Sequence, residues 1–228
     1  MQLKIKQNLK TTTMKKNFKQ ILALTVICII GFSSILCAQS IYKINDSKDN
    51  DMKLSGTSTL HNWVMNAQTF TGEAQFGFKP GNESELSSVK SLSFSLEVLN
   101  LKSGEKGLDK NAYKALKTNQ YKDIVYKLIS ATVMPEKENK YLVKTKGNLS
   151  IAGVTKEVTM DVYCVVNKDE TVTCTGSDKL NMTDYQVKPP TFMLGVMKTG
   201  DAITLDFISV YKKTNDQLTQ VSLKSDNK

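Results

Sequence analysis

Arginine is missing altogether from the 228 residues, so that every basic side chain apart from one histidine is a lysine. Arginine is the usual residue for bidentate recognition of bases and phosphates, and its absence argues against a nucleic-acid partner. Histidine is almost as scarce. His61 stands alone, which excludes every metal or acid–base site built on two or more histidines. No cluster of other metal ligands takes their place, and no metal or cofactor is expected. A G-x-S-x-G nucleophile elbow is also lacking, and the glycines are too scattered to form a phosphate-cradling loop. Ser58 and Thr59 lie just before His61, but a catalytic triad is a spatial arrangement that sequence proximity does not supply. These absences point away from an enzyme.

The first 38 residues differ in kind from the rest. From Met14, a better start than Met1, the chain runs through Lys15, Lys16 and Lys19, an apolar stretch Ile21 to Ile30, and then Gly31, Ser33 and Ser34 before Cys37-Ala38. This is the order of a secretory signal peptide, with cleavage expected after Ala38 and a periplasmic or secreted destination. Leu36 stands where lipoprotein processing wants a small residue, so lipidation of Cys37 is the weaker reading. The leader carries six lysines and no acid, and without it the formal charge falls from +9 to about +3. The remaining residues 39–228 fit one domain with a real core, without linker or repeat.

After Asp51 the apolar residues recur with a period of two. Leu92, Phe94, Leu96 and Val98 alternate with Ser91, Ser93, Ser95 and Glu97, which puts one set on each face of a strand. The same pattern returns at Ile124, Tyr126 and Leu128, from Val158 to Val166, and at Ile203, Leu205 and Phe207. Turn signals such as Lys79-Pro80-Gly81-Asn82 and Asn167 to Glu170 separate the strands as hairpins. One helix is expected from Asp109 to Thr118, with Asp109 as its cap and Ala112, Ala115 and Leu116 on one face. About eight strands, some as long as Leu86 to Leu101, imply an all-β antiparallel barrel. Such a barrel is either filled by side chains or holds one small ligand. The segment Pro189 to Met197 reads as an apolar loop packed inward, and the polar tail after Lys213 as a frayed end.

Cys164 and Cys174 flank the turn centred on Asp169, and parity places them opposite each other on the inner face. They are either a cross-strand disulfide or two buried free thiols. His61 either touches a ligand head group at the barrel mouth or serves a structural hydrogen bond. Asp161, Glu97 and Lys127 fall on outer faces, leaving the inner faces almost wholly apolar.

Taken together in order and spacing, several motifs resemble the YceI-like family of exported lipid- or polyisoprenoid-binding proteins. They are Gly56-Thr-Ser-Thr-Leu-His-Asn-Trp63, Leu101-Lys-Ser103 with Leu108-Asp109 and Ala115-Leu-Lys117, Gly147 to Lys156, Met182-Thr-Asp-Tyr185, Lys188-Pro-Pro-Thr191 and Lys198-Thr-Gly-Asp201. The chain departs from the family at Lys122, where many relatives have proline, and in its cysteine pair. The resemblance implies a lipocalin-like barrel, extended along its axis, whose apolar channel holds a long isoprenoid or other long-chain lipid. Transient membrane contact would suit such a carrier, and the oligomeric state, a dimer included, stays open. The expected lining is Phe94, Leu96, Tyr126, Leu128, Met160, Val162, Phe192, Met193 and Phe207, and each of these also fits an ordinary core. Trp63 either stacks near the opening beside His61 or plugs one end. Each five-carbon isoprene unit gains roughly 3–4 kcal/mol gross on leaving water, which makes an apolar tube a reasonable carrier. A filled structural or stress-related barrel and a lipid hydrolase or isomerase are the competing readings.

Overall fold

The computed structural model describes residues 40–192 and 196–214. The expected leader, the side chain of Phe192, Met193 and the polar tail lie outside the described residues.

The first four strands make two broken staves. β1 (Tyr42–Ile44) and β2 (Asp51–Ser58) both run along the last strand; β3 (Trp63–Ala67) pairs with β2, and β4 (Thr71–Lys79) with β1. Six long strands complete the wall: β5 (Asn82–Glu97), β7 (Asp123–Pro135), β8 (Lys140–Ile151), β9 (Val154–Val166), β10 (Val172–Asn181) and β12 (Met197–Lys213). Every pairing between neighbours is antiparallel, and β12 returns to β1 and β2, so the sheet closes into a barrel of eight staves. Closure removes the sheet edges that would otherwise recruit other strands. The period-two pattern is the cause of the wall. Leu92, Phe94 and Leu96 turn inward while Ser91 and Ser93 meet solvent.

Two local expectations need correction. The strand expected to reach Leu101 ends at Glu97, because Val98 to Asn100 make a 3₁₀ turn that buries Val98, and Leu101 then pairs with Ala67 as the short strand β6 (Leu101–Lys102). The helix α1 (Lys106–Ala115) starts three residues before Asp109. Asp109 is not its cap: its carboxylate accepts from the Ser103 amide at 2.8 Å and the Ser103 hydroxyl at 2.7 Å, and so ties the first turn of α1 to the loop before it. Tyr113 donates to the Leu101 carbonyl at 2.7 Å, which fixes α1 against the strand that precedes it.

The two ends of the barrel differ. At one end, below the β4–β5, β7–β8 and β9–β10 hairpins, buried side chains fill the interior. Tyr42 and Tyr211 both meet Phe76 edge to face, with ring centroids 5.2 and 5.6 Å away, the arrangement that aromatic quadrupoles favour. At the other end α1, the β2–β3 turn, the 3₁₀ turn Met182–Tyr185 and the short strand β11 (Thr191–Phe192) surround an opening. The interior is therefore sealed below and hollow above.

Candidate ligand-binding cavity

A cavity of about 350 Å³ occupies the open end. Leu54, Trp63 and Met65 line it from the β2–β3 hairpin, and Leu108, Ala112 and the capping residue Leu116 from α1. The spacing of these α1 residues puts them on one helical face, so the amphipathic helix turns its apolar side to the opening. Below it lies a second cavity of about 90 Å³, bordered by Phe94, Tyr126, Leu128, Met160, Val162 and Phe207. The two are stacked along the axis, because successive inward positions of the same strands line them in turn: Leu54 then Met52, Ile203 then Leu205, Ile151 then Leu149. Leu96, expected in the lining, is buried instead among Met52, Met65 and Leu101 and borders neither cavity.

Small side chains opposite large ones keep the lumen open. The Tyr126 ring lies over Gly147 and the Phe207 ring over Gly176, where an added Cβ would stand 2.5 Å from the Phe207 ring. Each ring can therefore lie against the wall instead of across the channel. At the mouth, the Trp63 ring covers Gly56 and its Nε1–H donates to the Thr57 carbonyl at 3.1 Å. His61 reaches the rim of the mouth cavity but is exposed, with Nδ1 2.8 Å from the Asn62 carbonyl. Ser58 spends its hydroxyl on the turn, donating to the His61 carbonyl at 2.8 Å. The Ser58–His61 pair thus closes a turn rather than forming a nucleophile and base.

The inner face, almost wholly apolar as expected, carries one carboxylate that the sequence pattern did not point to. Asp178 falls on the inward parity of β10 after Val172, Cys174 and Gly176, and borders the inner cavity. Burial pushes its carboxyl above the ordinary range, against a smaller opposite pull from the Lys179 amide, which donates to it at 2.9 Å. Tyr126 and Tyr185 belong to one buried cluster, and their hydroxyls find no hydrogen-bond partner among the described residues. Burial, together with Asp178 and Asp184, pushes Tyr185 up to about 12, so it stays a neutral donor. Tyr126 is also raised by burial; the nearby Thr145 hydroxyl offsets part of this but donates its own proton to the Met160 carbonyl.

A raised native pKa means that Asp178 favours the fold when protonated and opposes it once ionised. Its contribution is complete below the unfolded carboxylate pKa and is lost as pH rises through the higher native value. Asp178→Asn should therefore flatten that segment of the stability–pH curve, and the variant should gain on the natural chain towards neutral pH. Urea unfolding at a series of pH values checks this, and an unchanged pH slope would count against it.

Cys164 and Cys174 are directly opposed in the β9–β10 register, as parity required, and both are buried. They are free thiols with Sγ atoms 2.9 Å apart. Their contact, then burial, pushes Cys174 well above the usual thiol range, which disfavours the reactive thiolate. Among the described residues no group of three or more histidine, cysteine or acidic side chains converges on a metal position.

A closed antiparallel barrel sealed at one end, with an apolar hollow under a helix at the other, defines the class of lipocalin-like ligand-enclosing folds. Within that class the YceI-like domain model matches residues 42–210, and the chain belongs to the YceI-like family. Among solved structures it resembles BcnA of Burkholderia cenocepacia, at 17% identity and a TM-score of 0.55, covering 71% of this chain and 95% of that one. It also resembles a polyisoprenoid-binding domain from Saccharophagus degradans implicated in plant cell wall breakdown, at 10% identity and a TM-score of 0.57, covering 77% and 99%. At these identities the likeness is one of fold. None of the curated proteins matches the chain.

Proposed function

We propose that this protein sequesters or carries a long apolar ligand of the polyisoprenoid or isoprenoid-quinone type, without catalysis, in the periplasm or outside the cell. The observation that carries this reading is the pair of stacked, mainly apolar cavities in a barrel sealed at its far end. Apolar burial there supplies affinity in proportion to chain length, at about 0.8 kcal/mol per methylene. The fold shared with the polyisoprenoid-binding domain of Saccharophagus degradans supports this choice of ligand class. Leu60 and Val196, strongly exposed on segments beside the mouth, support loading from a membrane surface. The candidates Trp63, His61, Phe94, Tyr126, Leu128, Met160, Val162 and Phe207 would then contact the ligand. Native mass spectrometry of residues 39–228 recovered from an exported compartment, followed by solvent extraction, tests the proposal. A stoichiometric isoprenoid or quinone is expected. A clean apo mass that stays clean after incubation with such lipids would overturn it in favour of a structural barrel.

Export would also place the opposed thiols in an oxidising compartment. Cys164 and Cys174 then bond while the chain folds, closing a short loop worth about 2–3 kcal/mol. Residues 39–228 refolded in air should carry no free thiol. Folded reduced protein should react with a thiol reagent only after denaturation. Two free thiols persisting after oxidative refolding would refute the bond.

A further inference from the structure

We infer that the waist of the lumen recognises the polar end of the ligand: Tyr126, Tyr185 and Asp178 take an uncharged oxygen-bearing group, an alcohol or a quinone carbonyl, with the isoprenoid chain running back to the mouth. The inference rests on the carrier reading and adds the orientation and the head-group class. Tyr185 borders the mouth cavity, Tyr126 and Asp178 border the inner one, and Asp178 is close enough to Tyr185 to raise its pKa. Asp178 pairs with Leu205 and Tyr126 with Leu149, each one inward position below the mouth residues Ile203 and Ile151, and Tyr126 shares a buried cluster with Tyr185, so the three polar side chains stand where the two cavities adjoin.

The chemistry of the waist selects among heads. Buried hydroxyls are almost always hydrogen-bonded in native proteins, yet the Tyr126 and Tyr185 hydroxyls, in residues only 6% and 3% exposed, lack partners among the described residues. Both can donate to a carbonyl or hydroxyl oxygen, and Asp178 can accept from an alcohol. The Tyr126 ring is held in place over Gly147, so its hydroxyl is presented at a fixed point. A phosphorylated head fits badly there. The described lining of the inner cavity contains no lysine, and a phosphate would be desolvated beside Asp178 without a cation. The one lysine in the described lining is Lys198 at the mouth, which would leave the head outside and the chain inserted tail first.

Three probes separate these cases: geranylgeraniol, the C20 hydrocarbon with the same chain and no oxygen, and geranylgeranyl phosphate. Trp63, which lines the mouth, reports binding by its fluorescence. The alcohol should bind about tenfold more tightly than the hydrocarbon and the phosphate, the size of an ordinary neutral hydrogen bond. The double variant Tyr126→Phe, Tyr185→Phe should lose about tenfold for the alcohol and keep its affinity for the hydrocarbon. In the unaltered protein labelled with ¹³Cζ-tyrosine, two ring signals should move with the alcohol and stay still with the hydrocarbon, which holds the test even if the variant folds poorly. Equal binding of alcohol and hydrocarbon, or tighter binding of the phosphate, would overturn the head-group inference alone. If none of the three binds, the carrier reading falls and this inference with it.

Discussion

Gly176→Val should abolish most of the inner cavity while leaving the barrel folded. A Cβ at position 176 stands 2.5 Å from the Phe207 ring, so the ring has to swing off the wall and into the 90 Å³ space below the waist. Overpacking of this kind costs about 1–3 kcal/mol, and at this chain length each kcal/mol lowers the melting temperature by about 2–4 °C. The functional effect is of similar size and is read separately. If the displaced ring excludes two methylenes of a bound chain, about 1.6 kcal/mol of affinity is lost, somewhat more than tenfold. Ser177→Val, on the exposed face one residue away, is the control and should change neither property. Thermal melts and probe titrations of the two variants check this. Equal binding by both would show that Phe207 does not guard a space the ligand uses.

Tyr211→Ala acts on the seal and should move affinity the other way. Tyr211 is 3% exposed, packs edge to face on Phe76 and borders the inner cavity from below. Truncating a buried aromatic side chain to alanine costs about 3–5 kcal/mol. For an m-value of about 2 kcal/mol/M, the urea midpoint should fall by about 1.5–2.5 M with m itself unchanged. The lost ring deepens the lumen, so a probe that is limited by the floor should bind as well as before or more tightly. Both variants are destabilised, but one shortens the cavity and the other lengthens it. Affinities that fell in parallel would mean that instability, not shape, controls binding.

The strand alternation made the wall legible, because a residue slipped by one position would turn its whole set of apolar side chains to solvent. That is why Phe94, Tyr126, Leu128, Met160, Val162 and Phe207 meet at one cavity, and why Cys164 faces Cys174. What the pattern concealed is instructive. Asp178 follows Gly176 on the inner face of β10, and a glycine gives alternation no sign, so the inward run seemed to end before it reached the carboxylate. Tyr185 lies in a 3₁₀ turn that has no period to read. Leu96 has the right parity for the lining but meets neighbours that cover it, and parity cannot tell a wall facing a void from a wall facing another side chain. The same limit applies to the two ends: Phe76 and Tyr211 plug one of them through contacts between residues far apart in the chain. Asp109 looked like a cap, yet a loop serine reaches it first.

The seam of the barrel sets a timetable. β12 is joined on one side to β10 along ten residue pairs, whereas on the other side it meets β2 and then three residues of β1, where Tyr42 opposes Lys213. The first described strand and the last must therefore both be available before the ring can close. A chain made or threaded from its N-terminus would hold β1 and β2 as unpaired edges on the β12 side throughout, with the lumen open along its whole length. Contacts of such long sequence separation form slowly, so closure belongs at the end of folding. Until that moment the cavity is a furrow open along its side, and a long lipid present then could be laid in sideways instead of being threaded through the mouth.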